Sequence, residues 1–228
     1  TSGAKAAMNT SPGAGRIPLH TPLLRGEKRP RVALVGRRQS GKSSIFQAAS
    51  SATPRHARLA GASTYEECLV GIGLEEISLV DLPPIETLHR LREADRVLLM
   101  YLLWGDRWPM IARHEPQQPS APFRAPDVLV QVVDASALER DLELSLELSL
   151  LGKPMVIALN RMDEARDKGC FVNAKALSER LGVPVVATVA HMGIGLAELF
   201  AAALAAAREK VCPLAQQCSE HIRESLKP

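Results

Sequence analysis

Apolar residues in this chain come in short unbroken runs separated by stretches with a helical repeat, and the two kinds of segment alternate. RVALVG, from Arg31, reads as a short buried strand, and KSSIFQAASS after it as a helix. CLVGIGLEEISLVDL reads as two strands joined by a turn near Gly73. IETLHRLREADRVLLMYLLW has helical spacing, DVLVQVVDA is a strand, LERDLELSLELSLLG a helix stopped by Gly152, and PMVIALN a strand. AKALSERLG, VPVVATVA and GLAELFAAALAAAREK follow as helix, strand and helix, the last ended before Pro213. Unbroken apolar strands alternating with amphipathic helices predict an α/β fold, a mostly parallel six-stranded sheet with helices on both faces.

Two stretches fall outside this rhythm. Residues 1–30 are rich in Gly, Pro, Ala, Ser and Thr with little apolar periodicity, and read as a basic, disordered tail in which Met8 is a candidate native start. Gly105 to Pro126 holds Pro109, Pro116, Pro119, Pro122 and Pro126, which excludes a helix or a central strand. It reads as a surface loop, with a proline-rich docking segment anchored by Trp108 and Phe123 as the alternative. The expected organisation is a domain over 31–207 interrupted by the 105–126 insert, then a tail over 208–228.

Composition narrows the class. At 228 residues the chain is long enough for one domain of good size, and its longest apolar run, Val97 to Trp104, is far short of the roughly 20 residues a membrane span needs. The four cysteines, Cys68, Cys170, Cys212 and Cys218, form no C-x-x-C pair and read as reduced thiols of a cytoplasmic protein. Net charge is +3, yet residues 1–31 alone carry Lys5, Arg16, Arg25, Lys28, Arg29 and Arg31 against Glu27. The remainder is therefore slightly acidic, and nucleic acid is not an expected partner for it.

The candidate chemistry starts at GRRQSGKSS, which fits G-x-x-x-x-G-K-[ST] from Gly36 to Ser43. A strand ending in glycine, a loop, and Lys-Ser opening a helix let backbone N–H groups surround a di- or triphosphate at the positive end of a helix. Gln39, Ser40, Gly41, Lys42, Ser43 and Ser44 are the expected cradle, with Lys42 on the outer phosphates and the Ser43 hydroxyl on magnesium. Asn160 and Asp163 in ALNRMD form an N-x-x-D box just beyond a buried strand. A carboxylate at Asp163 accepts from the N1–H and 2-amino group of guanine, whereas adenine lacks both donors. The Arg161 head and stem are expected over the base. Thr188, Val189 and Ala190 end the last strand, where a backbone amide is expected to touch guanine from the other side. Asp81 in LVDLPP is expected to hold magnesium through water, and Thr64, with Ser63 as its substitute, to lie on a loop that folds over the nucleotide and to join the magnesium site. Thr64, Asp81, Pro83 and Pro84 are thus the candidate switch.

Phosphate loop, Thr, D-x-P, N-x-x-D and T-x-A in this order resemble the domain of bacterial translation-factor-like GTPases, with a Ras-like P-loop GTPase fold. The wording between the boxes narrows the resemblance. LVDLPPIETL, VVDASALERDLELSLELSLLGKPMVIALNRMDEARDKG and LSERLGVPVVATVAHMGIGLAEL look like the cytosolic amino-terminal GTPase of the ferrous-iron transporter B (FeoB) family. The match runs from Arg31 to about Leu204, apart from the proline-rich insert, and Leu138 to Asp163 is its most specific part. The resemblance implies GTP and GDP binding, slow hydrolysis, and control of iron(II) uptake by a membrane domain, so that the chain works at the inner face of the membrane.

The chain departs from the family pattern at three places. Gln39 stands where the family commonly has an Asn associated with a bound potassium ion. Its amide oxygen lies one methylene further out, so potassium is expected to matter less here. The family's D-x-P-G becomes Asp81, Leu82, Pro83, Pro84; a proline has no N–H for the third phosphate, which predicts poor GTP over GDP discrimination unless Ile85 N–H takes over. Only 24 residues follow Leu204, where the family carries a helical domain and membrane helices. No general base is legible, since no Gln follows Asp81 at the position used by Ras-like GTPases. Two other functions stay open: a guanine-nucleotide-holding interaction module that has lost hydrolysis, and a ribosome-associated GTPase, suggested by the basic tail.

Overall fold

A five-residue strand, β1 (Arg31–Val35), is buried over its whole length and forms the middle of the sheet. The architecture comes from a computed structural model that describes residues 29–50, 55–58, 64–89, 93–105 and 124–210, with backbone alone at 55–58, 64 and 93–95. β1 pairs in parallel with β4 (Glu75–Asp81) on one side and with β5 (Val128–Asp134) on the other. Outward from β5 lie β6 (Met155–Asn160) and β7 (Val185–Ala187), both parallel. Outward from β4 lie β3 (Thr64–Ile72) and β2 (Arg55–Arg58), both antiparallel to their neighbours. The order is β2-β3-β4-β1-β5-β6-β7.

All six strands read from the pattern are present, and β2 joins them as a seventh at the edge. Its sequence, Arg55-His56-Ala57-Arg58, has one apolar residue in four and so gives no strand signal. It is held by main-chain pairing to β3 at the sheet margin, where a polar strand costs little.

Period-two alternation on β1 serves two cores. Val32 and Leu34 face Ile45 and Phe46 of α1 (Lys42–Ala49) and Leu199, Phe200 and Ala203 of α6 (Leu196–Glu209). Ala33 and Val35 face Leu98 and Leu102 of α2 (Glu93–Trp104), with Leu144 and Leu148 of α3 (Leu138–Ser149). The other helices are α4 (Met162–Asp167) and α5 (Ala174–Leu181). Helices therefore cover both faces, as unbroken apolar strands require. None of the described helices is long and apolar enough to cross a membrane.

The helical stretch expected from Ile85 begins later. Residues 82–87 are irregular and α2 starts at Glu93, because Pro83 and Pro84 keep the chain extended and the groups after them find partners elsewhere. α4 went unread because six residues are too few for a repeat to show. The tail over 1–28, the insert over 106–123 and Cys212 and Cys218 lie outside the described residues.

The chain leaves β1 toward β4 on one side and later toward β5 on the other, so the crevice at the carboxyl end of β1 is the switch point at which open α/β sheets bind ligands. If β1 is the centre of the fold, Leu34→Ala, at a fully buried site, should cost about 2 to 5 kcal/mol in urea unfolding. Leu69→Ala, at a 42% exposed position of β3, should stay within about 0.5 kcal/mol of the parent.

Candidate functional site

Two glycines let the loop between β1 and α1 close. A Cβ on Gly36 would run into the Val132 carbonyl, and one on Gly41 into the Asn160 side-chain amide. Gly41 also has φ +95, a left-handed conformation that glycine adopts without strain. It caps α1 with no side-chain hydrogen bond, and the first turn of α1 holds no acidic residue. The positive end of this helix is thus left to an external anion.

The charged groups of the loop are buried at a cost. Lys42 is only 7% exposed and its Nζ donates to the Gly36 carbonyl at 3.2 Å. Burial lowers its pKa below 10.5, against the pull of Asp81 and Glu86. Ser43 Oγ donates to Asp81 Oδ2 at 2.9 Å, while Asp81 Oδ1 is buried with no hydrogen-bond partner. Burial raises the Asp81 pKa above 3.8; the Ser43 hydrogen bond and the Lys42 charge work in the opposite direction. A hydroxyl beside a carboxylate with a spare oxygen is a donor set that suits a hard cation.

Asn160, at the carboxyl end of β6 and 2% exposed, joins three pieces of chain. Its Nδ2 donates to the Ser40 carbonyl at 3.2 Å, and its Oδ1 accepts from Thr188 Oγ1 at 3.2 Å and Ala190 N–H at 3.1 Å. The Ala190 amide expected at the base is engaged by Asn160, and Val189 N–H donates to the Ile194 carbonyl at 3.1 Å. Asp163, in the first turn of α4, has Oδ1 buried and unpartnered, and its Oδ2 lies 3.6 Å from His191 Nε2.

The remaining expected residues are placed as follows. Arg161 has a left-handed backbone, φ 60, and its guanidinium reaches Asp134 at 3.2 Å and Glu164 at 3.7 Å. Gln39 also has positive φ, 65, and is exposed, as is Ser44. Thr64 begins β3, in register with Arg58 of β2. Pro83 and Pro84 lie in the irregular segment after β4, half-buried.

That segment is gripped from two sides, and the motifs name neither Glu86 nor Glu147, which take part. Toward the phosphate loop, Leu82 N–H donates to the Leu34 carbonyl at 3.4 Å and Ile85 N–H to the Gly36 carbonyl at 3.1 Å. Glu86 Oε1 accepts from the Arg38 amide at 3.2 Å. Toward α3, buried Glu147 accepts from Thr87 Oγ1 at 2.8 Å and from Leu88 N–H. Glu147 had a signal in the sequence: it is an acid among the inward leucines of α3. Arg37, also buried, pairs with Glu143 of α3 at 3.2 Å.

This loop on the central strand, answered by Asn160 and Asp163 beyond β6, defines a P-loop GTPase domain. Residues 31–161 match the family model described as "50S ribosome-binding GTPase", and the chain belongs to that family of GTPases. Within it the chain is a GTPase domain of the FeoB type: residues 121–203 match the model described as "Ferrous iron transport protein B".

The similar proteins agree. The Fe(2+) transport protein A/Fe(2+) transporter FeoB fusion protein of Porphyromonas gingivalis is 37% identical over 171 residues, 75% of this chain and 18% of that protein. The Fe(2+) transporter FeoB of Escherichia coli K12 is 31% identical over 177 residues, 75% of this chain and 20% of that protein. The chain thus spans about a fifth of the length of these relatives. Among solved structures, the G domain of the T. maritima FeoB iron transporter is 27% identical with a TM-score of 0.65, over 79% of this chain and 99% of that one. A GDP-bound mutant of S. thermophilus NFeoB is 29% identical with a TM-score of 0.64, over 81% and 64%.

The raised pKa of Asp81 gives a signed prediction for the protein without nucleotide or metal. The folded state favours the neutral acid, so its contribution to stability is present below the unfolded pKa and lost as pH rises through the folded value. Asp81→Asn removes that loss. Unfolding midpoints of parent and variant should coincide at low pH, with the variant the more stable once Asp81 ionises in the parent. A constant gap at all pH values would show that the burial of Asp81 is not what the variant relieves.

Proposed function

We propose that this domain binds GTP and GDP with magnesium, hydrolyses GTP slowly, and regulates ferrous-iron transport from the cytoplasmic face of a membrane. The observation that carries the guanine reading is the buried, unpartnered oxygen of Asp163, three residues along the chain from Asn160. A carboxylate with spare acceptor capacity suits the paired donors of guanine and is left unsatisfied by adenine. The GDP-bound S. thermophilus structure supports the same nucleotide. Ser43 and Asp81 would hold magnesium, directly and through water, and the ion would offset phosphate charge next to Lys42. Gln39, Ser40, Gly41 and Ser44 complete the cradle around the phosphates. Thr64, Asp81, Pro83 and Pro84 remain the proposed switch.

Two observations favour slow hydrolysis. Pro83 and Pro84 supply no N–H to a third phosphate, and the next amide, Ile85, is committed to Gly36. Single-turnover hydrolysis with magnesium separates a slow GTPase from a domain that only holds nucleotide. The Fe(2+) transporter relatives, about five times longer than the matched segment, support an iron-transport membrane domain as the partner. The description of the model matching 31–161 supports a ribosomal partner instead, and salt-sensitive co-sedimentation with ribosomes tests that.

Calorimetry of the parent should show GDP bound far more tightly than ADP, and equal affinities would overturn the guanine assignment. Asp163→Asn should weaken GDP and improve xanthosine diphosphate, whose 2-carbonyl accepts where guanine donates.

Lys42→Ala should cost about 2 to 5 kcal/mol in nucleotide affinity by deleting a charge-assisted contact. Because burial already disfavours the Lys42 charge, the empty variant should be no less stable than the parent. A thermal scan checks this, and an unfolded variant would make Lys42 a structural residue.

A further inference from the structure

The segment after β4 brings an anion of the chain's own to the phosphate loop. Leu82 and Ile85 donate to the carbonyls of Leu34 and Gly36, which sets the next residue, Glu86, against the loop, where its carboxylate accepts from the Arg38 amide at 3.2 Å. Lys42, the lysine of the same loop, feels the Glu86 charge. Thr87 and Leu88 bind Glu147 on α3, so Glu86 is held from both sides rather than placed by its own side chain alone.

Backbone amides of a phosphate loop and its lysine are groups that recognise phosphate oxygens. Here one amide is already engaged by a carboxylate. We propose that Glu86 is a nucleotide-specificity residue, an internal anion at the outer end of the phosphate loop that opposes the third phosphate of GTP and biases the domain toward GDP. The inference rests on the guanine-nucleotide reading above. A third phosphate brings further negative charge toward Glu86, and must either displace the carboxylate from the Arg38 amide or be held beside it. GDP, ending one phosphate sooner, meets less of this repulsion. The two prolines before Ile85 act in the same direction by withholding donors, but through geometry, whereas Glu86 acts through charge.

Glu86→Gln separates the two, because the glutamine carbonyl can still accept from Arg38 while the charge is gone. Affinities for GDP and for an imido-bridged GTP analogue would be measured calorimetrically with magnesium in the full chain, for the parent, Glu86→Gln and Glu86→Ala. Both variants should bind the GTP analogue roughly five- to tenfold more tightly than the parent, with GDP changed less than about twofold. Glu86 is exposed, so the difference between parent and variants should shrink as salt rises. Equal changes for both nucleotides, or no tightening of the analogue, would overturn the role of Glu86 and leave guanine binding standing. A parent that binds neither nucleotide would overturn the guanine-nucleotide reading, and this inference with it.

Discussion

One side-chain amide joins the parts of this site. Asn160 is nearly sealed from solvent, and each end of its amide meets a different segment: the Ser40 carbonyl on one side, Thr188 and the Ala190 amide on the other. These segments follow β1 and β7, strands on either side of the β5–β6 pair, so no local turn could hold them together. A buried amide with both ends satisfied is stabilising, and losing one partner would leave several polar groups dry, at about 1 to 3 kcal/mol each. Gly41 is part of the same constraint, since only a residue without Cβ lets the Asn160 amide come this close. The phosphate loop therefore gets its shape partly from a residue 120 positions away.

The charged groups of the loop are in a different condition. Lys42 and Asp81 are both buried enough for desolvation to be the largest influence on each, and each shifts toward its neutral form although the other's charge opposes this. Asp81 keeps one oxygen unpaired, and the positive end of α1 has no side-chain cap. A site that is well bonded by Asn160 and poorly neutralised at Lys42 and Asp81 has its geometry set in advance, while its electrostatic cost is left for a ligand of complementary charge to relieve.

What could be read in the sequence follows from this division. Strands buried on both faces, β1, β5 and β6, gave unbroken apolar runs; β3, β4 and β7 carried shorter ones; and the boxes sit at strand ends, so these strands and the positions of Lys42, Asp81, Asn160 and Asp163 were all legible. β2 was not, because an edge strand made of Arg, His and Ala is held by main-chain pairing, which leaves no pattern in side-chain type. The segment 85–89 looked helical since Ile85 and Leu88 fit the repeat, yet the donors at 85, 87 and 88 are taken by Gly36 and Glu147. Arg161 was expected at a base on chemical grounds; that its head also pairs with Asp134 was not legible, because this neighbour is visible only once β5 and β6 are paired in register.

The two grips on the segment after β4 differ in strength, and the difference sets how it can move. On the α3 side Glu147 is 7% exposed and accepts from two groups, in surroundings where a charge-assisted hydrogen bond is little screened. On the phosphate-loop side Glu86 is exposed and accepts from one amide, so water competes for the contact. Ile85 adds a backbone bond to Gly36, the same carbonyl that takes the Lys42 ammonium. The Lys42 ammonium has three N–H donors and spends one on that carbonyl, so the others stay open to an anion while Ile85 and Lys42 share Gly36. The looser grip is thus the one that faces the phosphate loop, while Glu147 holds residues 87–88 against α3.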